Sequence, residues 1–239
     1  MKNAIVTGGT KGIGLAIAEM LLREGYAVTV TYSTDRESAE QCRNRLMESG
    51  TAFEIIQADQ SDKQAMGRFA TLMRGKEHID CLICNAGITN RGTLKEMTDE
   101  VWERVMQVNV NAPVYLVRDL QDCIPPNSRI VFIGSMMGLL PHSMSLAYGV
   151  SKAAITAVAR NLVKEFDGSG TTVNVIAPGF VETAWHTNKP TEIRANISKK
   201  TALHRFAEPE EIADAVRFCL HNAYVNGSVL EISGGYDYK

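Results

Sequence analysis

Short apolar runs alternate with longer segments of helical period along the whole chain, and few folds accommodate such an alternation. The apolar runs lack a regular alternation with polar residues, which is typical of strands covered on both faces of a sheet. Intervening helical segments favour a parallel sheet with crossing helices on both sides. The sequence therefore predicts an α/β fold, a doubly wound parallel β-sheet, in a single domain over residues 1–239. The predicted strands are 4–6, 27–32, 53–58, 81–85, 129–134, 172–177 and 229–233, and the predicted helices are 12–24, 37–49, 62–74, 99–120, 148–166 and 210–221.

One long segment, residues 180–207, shows no clear periodicity. Loops of this length in a compact domain are usually functional or mobile. Ligands of doubly wound sheets bind where the chain leaves the carboxyl ends of the strands, so we interpret this segment as a substrate lid, with a disordered surface loop as the alternative. Phe180, Trp185 and His186 lie where a lid would shape a pocket. His142 either borders the same pocket or is a solvated loop residue.

Charge and composition limit the kinds of partner. The formal net charge is −2 and the basic residues are scattered, which argues against a nucleic-acid-binding surface. No stretch approaches the roughly 18 apolar residues of a membrane span, and the N-terminus lacks the apolar segment of a secretory signal. Five cysteines without metal-ligand spacing indicate reduced thiols, and Cys81 and Cys84 fit strand packing better than redox chemistry. We expect a cytoplasmic protein with a small-molecule partner and no metal, nucleic acid or membrane.

Four glycines fall within the eight residues TGGTKGIG, directly after the first predicted strand. Glycine permits positive φ and lets a ligand approach the main chain. The N–H groups and the positive dipole end of the following helix attract a phosphate. The spacing of Gly8, Gly12 and Gly14 therefore indicates a turn that binds the pyrophosphate of a dinucleotide, as in a Rossmann-type sheet, and a plain tight turn is the alternative.

The end of the second predicted strand indicates which dinucleotide binds. An NAD-preferring site usually has an acid at this place for the ribose 2′-hydroxyl, whereas this chain has Tyr32 and Ser33. Lys11 and Arg36 are placed to pair with a 2′-phosphate, and Ser33 or Thr34 to hydrogen-bond it. NADP is therefore favoured over NAD. Asp35 is interpreted as a turn residue or as the partner of Arg36.

Four polar residues are candidates for the chemistry. Tyr148 and Lys152 are spaced i, i+4 and so share one face of a predicted helix. A phenol in this position is an acid when a carbonyl is reduced, and a neighbouring ammonium favours its phenolate. Ser135 closes the fifth predicted strand, where it holds a substrate carbonyl or caps the strand end. Asn109 lies inside a predicted helix, where a buried amide needs hydrogen-bond partners.

These motifs follow one order along essentially the whole chain: Thr7-Gly8-x-x-x-Gly12-x-Gly14, Asn85-Ala-Gly87, Asn109, Ser135, Tyr148-x-x-x-Lys152, and Pro178-Gly179 with Thr183. In this set and order the chain resembles the short-chain dehydrogenase/reductase family. The resemblance is closest to the bacterial 3-oxoacyl-acyl-carrier-protein reductases. It rests there on Gly87-Ile-Thr89, Pro178-Gly-Phe-Val-Glu-Thr183, Arg205-Phe with Glu208-Pro-Glu-Glu-Ile212, and Gly234-Gly235.

The resemblance implies roles for individual residues. Ser135 positions the substrate, Tyr148 is the acid/base, Lys152 binds the nicotinamide ribose and lowers the pKa of Tyr148, and Asn109 anchors a water in a proton relay. Asp59 contacts the adenine, the segment from Asn85 to Gly87 follows the adenosine ribose, and the segment from Pro178 to Thr183 follows the nicotinamide carboxamide. The full set of predicted cofactor-binding residues is Gly8, Thr10, Lys11, Gly12, Ile13, Gly14, Tyr32, Ser33, Arg36, Asp59, Asn85, Ala86, Gly87, Tyr148, Lys152, Pro178, Gly179, Val181 and Thr183.

The resemblance further implies an NADPH-dependent carbonyl reductase of fatty acid biosynthesis that reduces 3-oxoacyl thioesters linked to acyl carrier protein. It also implies a homotetramer packed through residues 99–120 and 148–166. The chain departs from the pattern at Cys84, where the family usually has Asn, and in the basic residues expected before the fifth and sixth strands, where only Arg129 is present. Fewer basic contacts weaken the steering of an acidic carrier. The alternatives are a reductase of another small ketone, an NAD-dependent alcohol dehydrogenase, and a non-catalytic NADP-binding sensor.

Overall fold

The computed structural model describes residues 1–76, 78–140, 146–187 and 189–236, and His142 lies outside them. Its strands are β1 (Asn3–Val6), β2 (Ala27–Tyr32), β3 (Phe53–Gln57), β4 (Cys81–Cys84), β5 (Arg129–Ile133), β6 (Thr172–Pro178) and β7 (Val229–Ile232). Its α-helices are α1 (Gly12–Arg23), α2 (Arg36–Met47), α3 (Lys63–Arg74), α4 (Asp99–Met106), α5 (Ala112–Leu120), α6 (Leu146–Leu162), α7 (Ala184–Thr187), α8 (Thr191–Lys199) and α9 (Pro209–His221). A π-helical turn, Gln107–Asn111, joins α4 to α5.

The strands form one sheet in the order β3-β2-β1-β4-β5-β6-β7, and every neighbouring pair is parallel. The predicted doubly wound parallel sheet is therefore confirmed. The strand order reverses between β1 and β4, which pair from Ala4 opposite Cys81 to Val6 opposite Ile83. Connections from these two strands leave in opposite directions, which opens a crevice at their carboxyl ends.

Helices cover both faces of the sheet because successive strand residues point to opposite sides. On one face, Ala4 and Val6 of β1 pack with buried residues of α1, α2 and α9. On the other face, Ile5 packs with buried residues of α3, α5 and α6. A smaller cluster forms around Phe180 and Phe206, outside both. The unbroken apolar runs of the strands thus follow from burial on two sides.

The predicted strands all form, and no strand end differs from its prediction by more than one residue. The predicted helix 99–120 is wrong in one respect, because the π-helical turn interrupts it around Asn109. The predicted helix 148–166 begins earlier, at Leu146, and its last turn, Val163–Phe166, is a 3-10 helix. Residues 180–207 contain two helices, α7 and α8, where the sequence shows no clear periodicity.

In the part of the chain that the structure describes, no helix is both long and apolar enough to cross a membrane. Within the same residues, no group of three or more His, Cys, Asp or Glu side chains is arranged to hold a metal ion. All five cysteines are free thiols, and four of them are buried.

Candidate active site

The glycine-rich turn leaves β1 and enters α1 with a backbone that other residues do not readily adopt. Gly8 and Gly12 have φ values of +62° and +54°, in the left-handed region that favours glycine. A Cβ on Gly14 would lie 2.3 Å from the carbonyl oxygen of Gly8 and 2.5 Å from Nδ2 of Asn85. The turn therefore depends on glycine for its conformation at two positions and for space at the third.

Side chains from β1 and β4 hold this turn in place. Asn85 Nδ2 donates to the carbonyl oxygens of Thr7 and Gly8, at 2.9 and 3.0 Å. Thr7 Oγ1 accepts from the backbone N–H groups of Asn85 and Ala86, both at 3.0 Å. The amide of Asn85 is thus engaged with the turn, and the two strand ends are joined by side-chain as well as by backbone hydrogen bonds.

The start of α1 fits an anionic group. Lys11 occupies the N-cap position and its side chain makes no capping hydrogen bond, so the first N–H groups of the helix have no side-chain acceptor. Thr183 lies across from this point, because a Cβ on Gly12 would lie 3.1 Å from its methyl group. Residues 178–183 follow β6, and Gly179 donates to the carbonyl oxygen of Ile232. The structure thus brings the glycine turn together with the segment from Pro178 to Thr183.

The remaining predicted cofactor residues lie on several loops and helix starts. Thr10 and Val181 are buried, and Ile13 is half-buried. Asp59 follows β3, and its Oδ1 accepts from both the backbone N–H and the hydroxyl of Ser61, at 2.9 Å each. Gly87 lies closest to the catalytic candidates, since a Cβ there would lie 3.3 Å from Asn109 Oδ1 and 3.4 Å from Lys152 Nζ.

The end of β2 differs from the sequence interpretation. Lys11 Nζ lies 2.5 Å from Asp35 Oδ2, so Asp35 pairs with Lys11 and not with Arg36. Asp35 also caps α2 by accepting from the backbone N–H of Ser38. The hydrogen bond from Lys11 and those from Ser38 hold the pKa of Asp35 well below its usual range. Tyr32 ends β2, while Ser33 and Arg36 are exposed beside it.

Three of the catalytic candidates form one buried group at the carboxyl end of β5. Ser135 is 9% exposed, Tyr148 is 8% exposed and Lys152 is 4% exposed. The side chains of Ser135 and Tyr148 share a hydrogen bond, and Ser135 Oγ also accepts from the backbone N–H of Met137. Lys152 Nζ donates to the carbonyl oxygen of Ile133 at 2.7 Å and lies 5.6 Å from the centre of the Tyr148 ring. Ser135 is therefore both a cap and a neighbour of the phenol.

The fourth candidate, Asn109, is buried in the π-helical turn. Its Oδ1 accepts from the backbone N–H of Ile88, and its Nδ2 donates to the carbonyl oxygen of Ile88 and to Ser151 Oγ, at 2.9 Å each. The Ser151 hydroxyl donates in turn to the carbonyl oxygen of Tyr148 at 2.7 Å. Because this amide bonds to the chain after β4 and to α6, it ties the π-helical turn to the helix that carries Tyr148 and Lys152.

Burial sets the charge states of this group. Burial raises the pKa of Tyr148 to about 12, although the hydrogen bond with Ser135 acts in the opposite direction. Burial also lowers the pKa of Lys152 to about 8, against a smaller effect of Cys84. The sequence interpretation expects Lys152 to lower the pKa of Tyr148. In this structure the pKa is raised instead, because burial disfavours the charged phenolate. At neutral pH the phenol is protonated and the lysine is mostly charged.

The glycine turn and the polar side chains described above thus lie at the carboxyl ends of β1, β4 and β5.

A family model described as short chain dehydrogenase matches residues 2–194. The chain belongs to the short-chain dehydrogenase family. Among its relatives, the 3-oxoacyl-[acyl-carrier-protein] reductase FabG of Escherichia coli is 31% identical over 238 residues, which cover 98% of this chain and 96% of that protein. The short-chain dehydrogenase/reductase FrzI of a Cladobotryum species is 32% identical, with 98% and 95% covered.

Solved structures that resemble this chain share its fold over nearly the full length. One from Burkholderia cenocepacia, in complex with NADP, has a TM-score of 0.91 at 28% identity, with 98% of this chain and 97% of that chain covered. A blue fluorescent protein from a metagenomic library, in complex with NADPH, has a TM-score of 0.92 at 30% identity, with 98% and 97% covered. These likenesses extend over essentially the full length of the chain.

The two departures from the family pattern have structural explanations. Cys84 is fully enclosed at the end of β4, where burial raises its pKa to about 12 and keeps the thiol neutral. Arg129 is not a solvated charge, because its guanidinium donates to the carbonyl oxygens of Leu220, Asn127 and Ser128. Cys84 therefore packs at the carboxyl end of β4, and Arg129 binds backbone groups at the opposite end of the sheet, where β5 begins.

Three features of the site are absent from the sequence interpretation. Thr7 was recognised as part of the glycine motif but not as the acceptor for two backbone N–H groups. Ser151, within the motif that carries Tyr148 and Lys152, was not singled out. The Lys11–Asp35 pair joins residues 24 positions apart. Of these features, only the role of Ser151 is predictable from the sequence, because a small polar residue on an apolar helix face needs a buried hydrogen-bond partner.

We expect Gly14→Ala to lower the free energy of unfolding by about 2 kcal/mol or more, because its Cβ overlaps the backbone of the turn and Asn85. Gly67→Ala is the matched control, since a Cβ at this position in α3 meets nothing within 4 Å. We expect it to raise the free energy of unfolding by about 0.5–1 kcal/mol. Urea denaturation of both variants measures the two changes. Equal effects in the two variants would contradict this account of the turn.

Proposed function

We propose that this chain is an NADPH-dependent carbonyl reductase that acts on 3-oxoacyl thioesters and gives 3-hydroxyacyl thioesters. One observation carries the proposal: the buried Tyr148 has Ser135 as the hydrogen-bond partner of its phenol and Lys152 Nζ 5.6 Å from the centre of its ring. Neutral acids held in a cleft are suited to protonating an oxygen that gains negative charge. A sensor without chemistry would need no such group.

The crevice fits a dinucleotide. The glycine turn leads into α1, whose first N–H groups have no side-chain acceptor and so are suited to a pyrophosphate. In this proposal Gly8, Gly12 and Gly14 border the pyrophosphate, while Asn85 and Gly87 border the adenosine side and the segment from Pro178 to Thr183 borders the nicotinamide. Bound NADPH supplies the hydride. The NADP and NADPH complexes of structural relatives support this choice of cofactor.

The protein side of the reaction follows from the polar group. Ser135 Oγ and Tyr148 Oη are both placed to donate to the ketone oxygen, which fixes the carbonyl beside the crevice. Tyr148 releases its proton to that oxygen as the carbon is reduced, and the ammonium of Lys152 stabilises the phenolate that remains. Asn109 and Ser151 hold α6 in position through their hydrogen bonds to Ile88 and Tyr148.

The preference for NADPH rests on the end of β2. Arg36 makes no ion pair within the described residues and is exposed beside Ser33 and Thr34, so it is available to a 2′-phosphate. Lys11 neutralises the carboxylate of Asp35 and removes much of its repulsion of that phosphate. An unpaired acid at this place would favour NAD.

The thioester part of the proposal is supported by the relatives named 3-oxoacyl-[acyl-carrier-protein] reductase at about a third identity. A second candidate is a reductase of another small ketone. The hydrogen bonds of Arg129 favour it, because the guanidinium donates to backbone carbonyl groups and is not free to bind an acidic carrier. We further propose action in the cytoplasm in fatty acid biosynthesis, consistent with the free thiols, and a homotetramer packed through α4, α5 and α6.

The function is tested by following NADPH oxidation with an acetoacetyl thioester, carried by acyl carrier protein or by pantetheine. We expect turnover of both, and a preference for the carrier would support the role in fatty acid biosynthesis. Turnover of unrelated ketones alone would favour the second candidate. Stoichiometric NADPH binding without reduction of any ketone would contradict the proposed activity and leave the sensor.

We expect Tyr148→Phe to lower kcat at least about 100-fold, because it removes the proton donor. The Kd of NADPH measured by fluorescence titration should stay within about twofold of wild type. Tyr224→Phe is the matched control, since Tyr224 is 99% exposed, and its kcat should equal that of wild type. A Tyr148→Phe enzyme with wild-type kcat would exclude Tyr148 as the donor.

The cofactor preference is tested at Asp35. Asp35→Asn keeps the cap on α2 but frees Lys11, and we expect the ratio of NADPH to NADH affinity to rise at least about fivefold, or about 1 kcal/mol. Arg36→Ala should lower the same ratio, and the neighbouring Glu37→Gln should leave it unchanged. Isothermal titration calorimetry with NADPH and with NADH gives the two Kd values whose ratio is compared. A ratio that Asp35→Asn lowers would show that this carboxylate does not oppose the 2′-phosphate.

A further inference from the structure

Trp185 lies against the proposed proton donor. It is part of α7, the short helix at the start of residues 180–207, and its ring meets the Tyr148 ring edge to face, with centroids 6.2 Å apart and planes at 66°. Trp185 is 47% exposed, whereas Tyr148, Ser135 and Lys152 are buried. Among these four residues, Trp185 is therefore the one that is exposed to solvent, and its ring contacts the Tyr148 ring.

The residues that follow Trp185 fix its position. The ring of His186 lies 5.4 Å from the rings of both Phe180 and Phe206, and burial lowers its pKa to about 4, so it packs as a neutral ring at physiological pH. The guanidinium of Arg194, from α8, donates to the carbonyl oxygen of His186 at 3.2 Å and pairs with Glu182. These contacts of the His186 ring and carbonyl group hold α7, from which the neighbouring indole extends beside Tyr148.

Five large apolar side chains that precede Tyr148 or follow Trp185 along the chain are exposed: Leu139, Leu140, Leu146, Ile193 and Leu203. The two ends of residues 180–207 meet, since Val181 and Ala207 form a parallel bridge, so this segment is a closed loop over the carboxyl end of β6. Exposed apolar groups around a site mark surfaces that bind apolar ligands.

We propose that Trp185 sets the largest group that a ketone can carry beside its carbonyl, and that the group it admits is apolar. This inference rests on the proposed function. A ketone oxygen must approach Tyr148 Oη to within hydrogen-bond distance, so the carbon substituents of the carbonyl must lie along the indole. A rigid aromatic ring at that distance leaves room for a small alkyl group and excludes a bulky one.

The test compares kcat/KM for two pantetheine thioesters, one with a methyl ketone (3-oxobutanoyl) and one with a phenyl ketone (3-oxo-3-phenylpropanoyl). We expect Trp185→Ala to raise the phenyl-to-methyl ratio at least about tenfold, because differences of this size are typical when a pocket gains room for a few carbon atoms. Trp185→Phe should give a smaller rise. The Kd of NADPH should not change in either variant, which separates substrate selection from a general loss of structure.

A ratio within about twofold of wild type in both variants would overturn the inference. If Trp185→Ala fails to fold, Trp185→Phe alone decides, since it keeps an aromatic ring in the same place. Failure of wild type to reduce either thioester or any other ketone would overturn the proposed function and this inference together. Turnover with an unchanged ratio would overturn only the role of Trp185.

A second readout does not depend on turnover. The chain has two tryptophans, Trp102 and Trp185, so Trp102→Phe leaves Trp185 as the single indole. In a Tyr148→Phe background with NADPH bound, we expect addition of the methyl thioester to change the fluorescence of Trp185, and the phenyl thioester to change it less at the same concentration. The Trp185→Phe version, which retains Trp102, should not respond. A response from Trp102 alone would place the ketone elsewhere and contradict the proposal.

Discussion

The structure of the site depends on the hydrogen bonds that join the ends of β1 and β4. Thr7 and Asn85 supply acceptors and donors to four backbone groups at the point where both strands leave the sheet. Buried backbone groups without partners are costly, and here side chains satisfy them while the main chain turns sharply through glycine. The crevice between the two strands therefore stays open and lined by backbone, and the positions of Gly87, Lys152 and Asn109 follow from it.

Burial then determines what the polar residues can do. The same dry surroundings raise the pKa of Tyr148 and lower that of Lys152. Near neutral pH, Tyr148 is therefore a protonated acid, and Lys152 is an ammonium that gives up its proton more readily than an exposed lysine does. A shift of this size in a buried lysine corresponds to about 3 kcal/mol of unfavourable burial. This cost lowers the free energy of unfolding below about pH 8. The free energy of unfolding then rises as the pH increases toward the ordinary lysine pKa, because the unfolded chain binds more protons than the folded one in that range. Such a cost is typical of functional sites, which exchange stability for chemistry.

Sequence alone predicts the parts of this molecule that depend on local pattern. The strands were predicted to within one residue because they are short, mostly apolar runs, and the inner ones are buried on two faces; the glycine turn was predicted because its backbone tolerates few alternatives. The π-helical turn was missed because it results from contacts of Asn109 with Ile88 and Ser151, which are distant in sequence. The Lys11–Asp35 pair and the packing of α7 against Tyr148 were missed for the same reason. Periodicity reports which face is buried and not which partner covers it.

The central claim is that burial keeps Tyr148 neutral until the substrate oxygen takes its proton. Its most direct test is the ultraviolet absorbance of tyrosinate, titrated in the unliganded wild type and in Tyr148→Phe, whose difference isolates Tyr148. The account predicts no difference titration between about pH 6 and pH 10, because the raised pKa of Tyr148 lies near 12. A difference curve with a midpoint below about pH 8 would contradict it, since the phenol would then be a preformed base that Lys152 ionises.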